Sequence, residues 1–251
     1  MANHKVLSVE DNGNFIKTAS FYKLCKKLKT LKKSKGHFIL VLGTPGTGKS
    51  ANIYQTLSLL DLKVYDTFLF IDADSKPEDV FDIFWNTIME DMCVKSKKEV
   101  YRKAREYDMI LFADPFLDSE YIDGKKMGLG LWTEENGPGT FPLYFKVLYE
   151  YFKYYKDLRK VNIIAQTAWV LKFRGVRYDI LTDFGFISRF LVFILKKFFD
   201  VVIISYTKEE TMKIVRNHHD APDDEQIEKY IKKYGKKPRF IFDAMEKGEK
   251  I

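Results

Sequence analysis

The chain has 251 residues, 46% of them apolar and 16% aromatic, which is enough to bury a full core. That excludes intrinsic disorder and a disulfide-stapled mini-protein. The 42 Lys and Arg against 35 Asp and Glu leave +7, and two cysteines outside any Cys/His cluster exclude a zinc ribbon.

Residues 1–36 read as a basic N-terminal helical segment. From Lys17 to Lys35 there are eight lysines and no acid, so the rest of the chain is close to neutral. Phe21, Leu24, Leu28 and Leu31 recur at three- and four-residue spacing, the mark of an amphipathic helix. Its lysine face is read in two ways, as a solvated surface or as a contact for nucleic acid or another anionic surface.

From residue 37 to 251 short apolar runs alternate with helical stretches. The runs are His37–Leu42, Thr67–Ile71, Met109–Ala113, Val161–Ala165 and Val201–Ser205, each too short for a helix and bounded by polar residues, as buried parallel strands are. Helices are predicted at Ser50–Leu60, Pro77–Met92, Lys97–Tyr107, Phe141–Arg159 and Ile187–Phe199. In the fourth, Phe141, Phe145, Leu148, Phe152 and Tyr155 mark the face expected to pack on the sheet. The tail reads as a strand at Thr211–Arg216, a helix at Asp223–Tyr234 and an edge strand at Arg239–Phe242. The pattern implies βαβ units, an α/β three-layer sandwich with a mainly parallel five-strand core sheet.

No stretch approaches the ~20 apolar residues of a membrane-spanning helix. The opening MANHKVLSVEDNGN lacks the apolar core of a secretion signal. A soluble, cytoplasmic protein is expected.

Between the first run and the first helix stands GTPGTGKS, Gly43 to Ser50, the pattern G-x-x-x-x-G-K-[ST] in the strand–loop–helix context that defines a P-loop. Gly46 and Gly48 let the backbone curl so that successive N–H groups face phosphate oxygens. The helix N-terminus adds its positive dipole end. Gly43, Thr44, Pro45, Gly46, Thr47, Gly48, Lys49, Ser50 and Ala51 are therefore expected to cradle the phosphates of ATP. Lys49 would reach the β- and γ-phosphates, and the Ser50 hydroxyl would ligate Mg²⁺.

A P-loop enzyme also needs a carboxylate at another strand end. Asp72 and Asp74 follow the second run and Asp114 the third, while Gln166 follows the fourth. In this order the set resembles the additional-strand (ASCE) P-loop ATPases, in particular the RecA/KaiC and FtsK/HerA branches. The resemblance implies that Asp114 holds Mg²⁺ and that Gln166 senses the γ-phosphate. FLFIDADSKPE (Phe68–Glu78) is similar to a segment of those branches, and MKIVRNHHDAP (Met212–Pro222) resembles their late hairpin, which touches a neighbouring subunit's nucleotide. The likeness covers roughly residues 37 to 222.

Two departures stand out. Pro115 occupies the place where the family usually has Glu beside Asp114, leaving Glu120, with Glu78 behind it, as candidates to polarise the attacking water. Arg216 and His218 stand where two cations are usual. A competing resemblance exists: ISRF (Ile187–Phe190) is similar to the arginine-finger box of DnaA-like AAA+ proteins. Arg174, Arg189 and Arg216 are the arginine-finger candidates. His218 and His219 point to opposite faces if on a strand and complete no metal cluster.

The segment from Asp114 to Phe141 carries Lys125, Lys126 and Trp132, and the one after Gln166 carries Lys172, Arg174 and Arg177 around Phe173. Cations interleaved with aromatics suit contact with DNA, which the resemblance places at these loops. Together these readings imply an ATPase that couples hydrolysis to work on DNA, by translocation, packaging or strand handling. It would act as a homo-oligomer, a hexamer being one form. A DnaA-like initiator or loader and an ATP-binding switch with little hydrolysis stand as alternatives. Gln166 and the lack of an Arg-rich lid argue against a small-molecule kinase.

Overall fold

A computed structural model describes residues 15–66, 77–112, 141–173, 176–217 and 223–249. Its centre is a parallel sheet of five strands: β1 (Phe38–Leu42), β2 (Val64–Asp66), β3 (Ile110–Phe112), β4 (Asn162–Thr167) and β7 (Asp200–Ile203), in the spatial order β2-β3-β4-β1-β7. Every pairing is parallel. β4 is thus inserted between β1 and β3, with Phe38 to Leu42 opposite Ile163 to Thr167. The five-strand parallel core and the α/β class are as the apolar runs imply. The second strand begins at Val64, and the expected run Thr67–Ile71 lies outside the described residues. Between β4 and β7 the chain adds an antiparallel hairpin, β5 (Val170–Phe173) and β6 (Val176–Asp179).

Successive strand residues alternate between two buried faces. On one face Ile39, Val41, Ile110, Phe112, Ile164, Val202 and Ile204 meet α1 (Ala19–Leu28) and α2 (Lys49–Leu60). On the other, Leu40, Leu42, Leu111, Ile163 and neighbours meet α3 (Pro77–Asp91), α4 (Lys97–Glu106) and α7 (Phe186–Leu195). The amphipathic reading of the N-terminal segment holds: Phe21, Leu24, Leu28 and Leu31 are all buried. Thr18 caps α1 by accepting from the Phe21 N–H, and a 3₁₀ turn (Lys29–Lys32) follows. Leu24, Leu28 and Leu31 belong to the same core as α2.

The stretch expected as one helix from Phe141 to Arg159 is α5 (Phe141–Lys153) and a single turn, α6 (Tyr155–Leu158). The face it turns inward is not the expected one. Tyr151 turns inward against Phe38 and Phe199, and Tyr154 meets Tyr101, while Phe145, Leu148, Phe152 and Tyr155 are exposed. Spacing fixes that a helix has an apolar stripe; with tyrosines on a second face beside it, it does not fix which side meets the sheet.

The tail also departs from the expected strands. α8 (Lys208–Arg216), α9 (Asp224–Tyr234) and α10 (Pro238–Glu246) are helices sharing a small core of Val215, Ile227, Tyr230, Ile241 and Ala244. The signals are local. Thr207 and Glu210 form a capping box, Asp223 caps α9, and Pro238 opens α10, where its missing N–H costs nothing. The late-hairpin resemblance therefore fails over Met212–Arg216, which is helical.

At the bottom of the sheet Asp200 accepts from His37 at 2.7 Å and pairs with Lys27 at 2.6 Å. Burial raises the Asp200 pKa, but the hydrogen bonds from Lys27 and His37 outweigh it and hold the carboxyl below the usual value of 3.8. A carboxyl depressed in the folded state stabilises fully above its unfolded pKa and loses that contribution as pH falls through the folded one. The urea midpoint is therefore expected to drop below about pH 4, and less so in Asp200→Asn. Equal acid sensitivity in the two proteins would refute the assignment.

Candidate functional site: the loop between β1 and α2

Gly43 to Ser50 leave β1 and enter α2 as the motif requires. Gly46 and Gly48 have φ of +85° and +68°, in the left-handed region that glycine reaches without strain. Gly43 is needed for closeness instead, since a Cβ there would sit 2.8 Å from the Ile204 carbonyl oxygen. Gly48 caps α2 without a side chain, and no acid occupies the first turn, so nothing there competes with an anion for the helix N-terminus. Lys49 folds back and donates to the Gly43 carbonyl at 2.9 Å.

Gln166, buried at the end of β4, donates from Nε2 to Ser50 Oγ at 3.0 Å. The inserted strand thus joins the expected γ-phosphate sensor to the hydroxyl expected on Mg²⁺. Hydroxyl, amide, ammonium and curled backbone form a donor set that fits a polyphosphate with a hard cation, which takes few protein ligands and shares the phosphate oxygens. Among the described residues no group of three or more His, Cys, Asp or Glu is arranged to hold a metal.

Several contacts at the loop have no sequence motif. Thr44 Oγ1 donates to Asp183 Oδ1 at 3.0 Å and lies 3.0 Å from the Thr182 hydroxyl. Asp179, fully buried, accepts from the N–H groups of Trp169 and Leu181 and from Thr182 Oγ1, and its own N–H donates to Asp183. Burial pushes the Asp179 pKa up, against these hydrogen bonds, which lower it. Asn52 Nδ2 donates to Tyr206 Oη at 2.9 Å, and burial raises the Tyr206 pKa to about 12.

The C-terminal helices reach the same loop. The Arg239 N–H donates to the Gly46 carbonyl at 3.2 Å, and the Phe240 ring lies against Gly46. Lys237 Nζ is 3.8 Å from Asp183. With this stretch read as an edge strand, Arg239 escaped notice; Pro238 opening a helix was the available signal.

Other candidates are scattered. Arg189 is exposed on α7, where Ser188 is structural, accepting from the Phe184 N–H and donating to the Ile180 carbonyl. Arg216 makes a two-pronged pair with Asp224, joining α8 to α9. Lys172 and Arg177 are backbone partners across the β5–β6 hairpin. Asp72, Asp74, Asp114, Glu120, Lys125, Lys126, Trp132, Arg174, His218 and His219 lie outside the described residues.

No protein-family profile and no curated protein matches the chain. Solved structures do. DnaA from Aquifex aeolicus, bound to AMPPCP, matches at 17% identity and a TM-score of 0.44 over 93% of this chain and 62% of that one. The Aeropyrum pernix ORC1 protein in complex with DNA matches at 16% and 0.49, over 96% and 61%. A Walker-type ATPase of Pyrococcus abyssi matches at 14% and 0.46, over 90% and 67%. The chain spans about three fifths of the lengths of the DnaA and ORC1 structures. The P-loop motif, the five-strand parallel sheet and β4 between β1 and β3 are features of this chain itself.

Proposed function

We propose that the chain is an ATPase that binds ATP with Mg²⁺ at Gly43–Ala51 and couples its hydrolysis to work on DNA as a homo-oligomer. The observation that carries the reading is the bond between Gln166 and Ser50, with Lys49 beside it on a glycine-curled loop at a helix N-terminus. Lys49 exchanges the Gly43 carbonyl for phosphate oxygens, and the loop amides hold the remaining charge. Ser50 would hold the cation through its hydroxyl, freeing Gln166 to report the γ-phosphate to the β5–β6 hairpin that follows it. When bound, Mg²⁺ would neutralise part of the phosphate charge. Asp114 remains the proposed carboxylate for it, and Glu120 the proposed aid to the attacking water.

Assembly is supported by α7. Phe186, Ile187, Phe190 and Phe193 are 82%, 54%, 55% and 58% exposed, around an exposed Arg189. A run of large apolar side chains in water marks an interaction surface. An arginine delivered across such a surface would complete the site, because positioning and electrostatics do nearly all the work of phosphoryl transfer. The deciding test is the ATPase rate with and without single- and double-stranded DNA. Stimulation by DNA is expected, and a flat rate in an assembled, ATP-bound protein would overturn the motor reading.

A second reading is favoured by one contact, that of α10 on Gly46. Nucleotide that moves this helix would switch assembly with little turnover, as in an initiator or regulatory switch. ATP-dependent assembly with a flat rate would select it. On either reading, Gln166→Ala should lower the turnover number about 10- to 100-fold while leaving ATP affinity within a few-fold, since it removes a transition-state contact rather than a ground-state one. Weaker ATP binding with an unchanged turnover number would assign Gln166 to binding alone.

A further inference from the structure

We propose that the outer face of α1 and its 3₁₀ turn is a nucleic-acid surface that grips the phosphate backbone through lysines. It rests on the DNA reading above and gives that reading a surface. Burial of Phe21, Leu24, Leu28 and Leu31 fixes the rotation of the helix about its axis. Lys23, Lys26, Lys29 and Lys33 then fall in one outward stripe, all exposed, with exposed Lys17 and Lys32 at its flanks. At about 1.5 Å per residue along α1 and about 2.0 Å along the 3₁₀ turn, the stripe runs roughly 17 Å, the length of about five phosphates along one strand.

No acid interrupts the sequence from Phe15 to Lys35. Among the described residues Lys27 is paired with Asp200 and Lys35 with Asp108, whereas none of the six stripe and flank lysines makes an ion pair. Tyr22, 60% exposed, stands at the head of the stripe beside Lys23 and Lys26 and offers a ring on which an unpaired base can stack. A lipid surface would call for apolar side chains to insert, and on this face Tyr22 is the one large exposed ring. An evenly spaced row of one sign fits a polyphosphate chain.

The inner side of the same helix is fastened to the nucleotide loop's own helix. Leu24, Leu28 and Leu31 share a core with Ile53, Leu57 and Leu60, and Cys25 Sγ lies 3.5 Å from Thr56 Oγ1. Ser20 Oγ donates to the Ser205 carbonyl at 2.6 Å, one residue before the Tyr206 that holds Asn52. A polymer on α1 is therefore one packed layer from the phosphate site, and any change ATP makes in DNA affinity must be returned by DNA on ATP affinity.

The test uses the full chain and the triple variant Lys23→Gln, Lys26→Gln, Lys29→Gln. Anisotropy of fluorescent single- and double-stranded oligonucleotides would be followed over a range of salt. Removing three phosphate contacts should make the slope of log affinity against log salt shallower by about 2 to 3, at roughly 0.7 per contact on single strands and 0.9 on duplex. Thermal midpoint and ATP affinity should not move. Tyr22→Ala should weaken single-strand binding about 5-fold or more and leave duplex binding unchanged. Binding by wild type with an unaltered slope in the triple variant would overturn the surface and leave the DNA reading standing. No binding of either oligonucleotide by wild type would overturn both, and lysine-dependent capture by anionic phosphatidylserine vesicles in its place would reassign the face to lipid.

Discussion

Lys49→Ala should lower ATP turnover by about 100- to 1,000-fold or more, the cost of removing one charged donor from a phosphoryl-transfer site. It should also weaken ATP binding, because the ammonium meets phosphate in the ground state as well as the transition state. The fold should be untouched. Lys49 is the first residue of α2, it donates to the Gly43 carbonyl rather than packing in the core, and alanine is the better helix former. Steady-state ATPase rates, nucleotide titration and a melting curve check the three parts. Turnover near the wild-type rate would remove the loop from the chemistry.

The second large effect concerns stability. Leu28→Ala is expected to cost about 2–5 kcal/mol, because Leu28 is fully buried in the core shared by β1 and α2 and its neighbours can close the gap only in part. Deleting residues 1–36 removes Leu24, Leu28 and Leu31 together and uncovers Ile53, Leu57 and Leu60 of the nucleotide-loop helix. That truncated chain should fail to fold as a monomeric, cooperative unit, as urea denaturation followed by circular dichroism would report. A sharp transition at the wild-type midpoint would refute the claim that α1 is core. The lysines of α1 must accordingly be probed by substitution, not by truncation.

What the sequence made legible follows from how each signal is encoded. The P-loop was readable because every part of it is local: a buried run, glycines at the bends, Lys49 and Ser50 at the helix start. The strands showed because parallel strands are apolar on both sides, and Gln166 was found from its order after the fourth. The α5 stripe misled, since helical spacing is silent about which side turns inward when Tyr151 and Tyr154 form a second aromatic face beside that of Phe145 and Phe152. The tail misled for another reason. Thr211–Arg216 read as a strand, but the capping box of Thr207 and Glu210 three residues apart was the stronger sign. The Asp179–Thr182–Asp183–Thr44 network was out of reach, because Thr44 meets the other three only through tertiary folding, across more than 130 positions of chain.

The single backbone bond from Arg239 to Gly46 has a use beyond the site it helps to close. An amide exchanges its hydrogen with solvent only when its bond opens, so the exchange rate at Arg239 gauges, at one atom pair, how often the last three helices lift from the loop. Measured with and without nucleotide, that rate would give the free energy of seating directly, without any label or mutation.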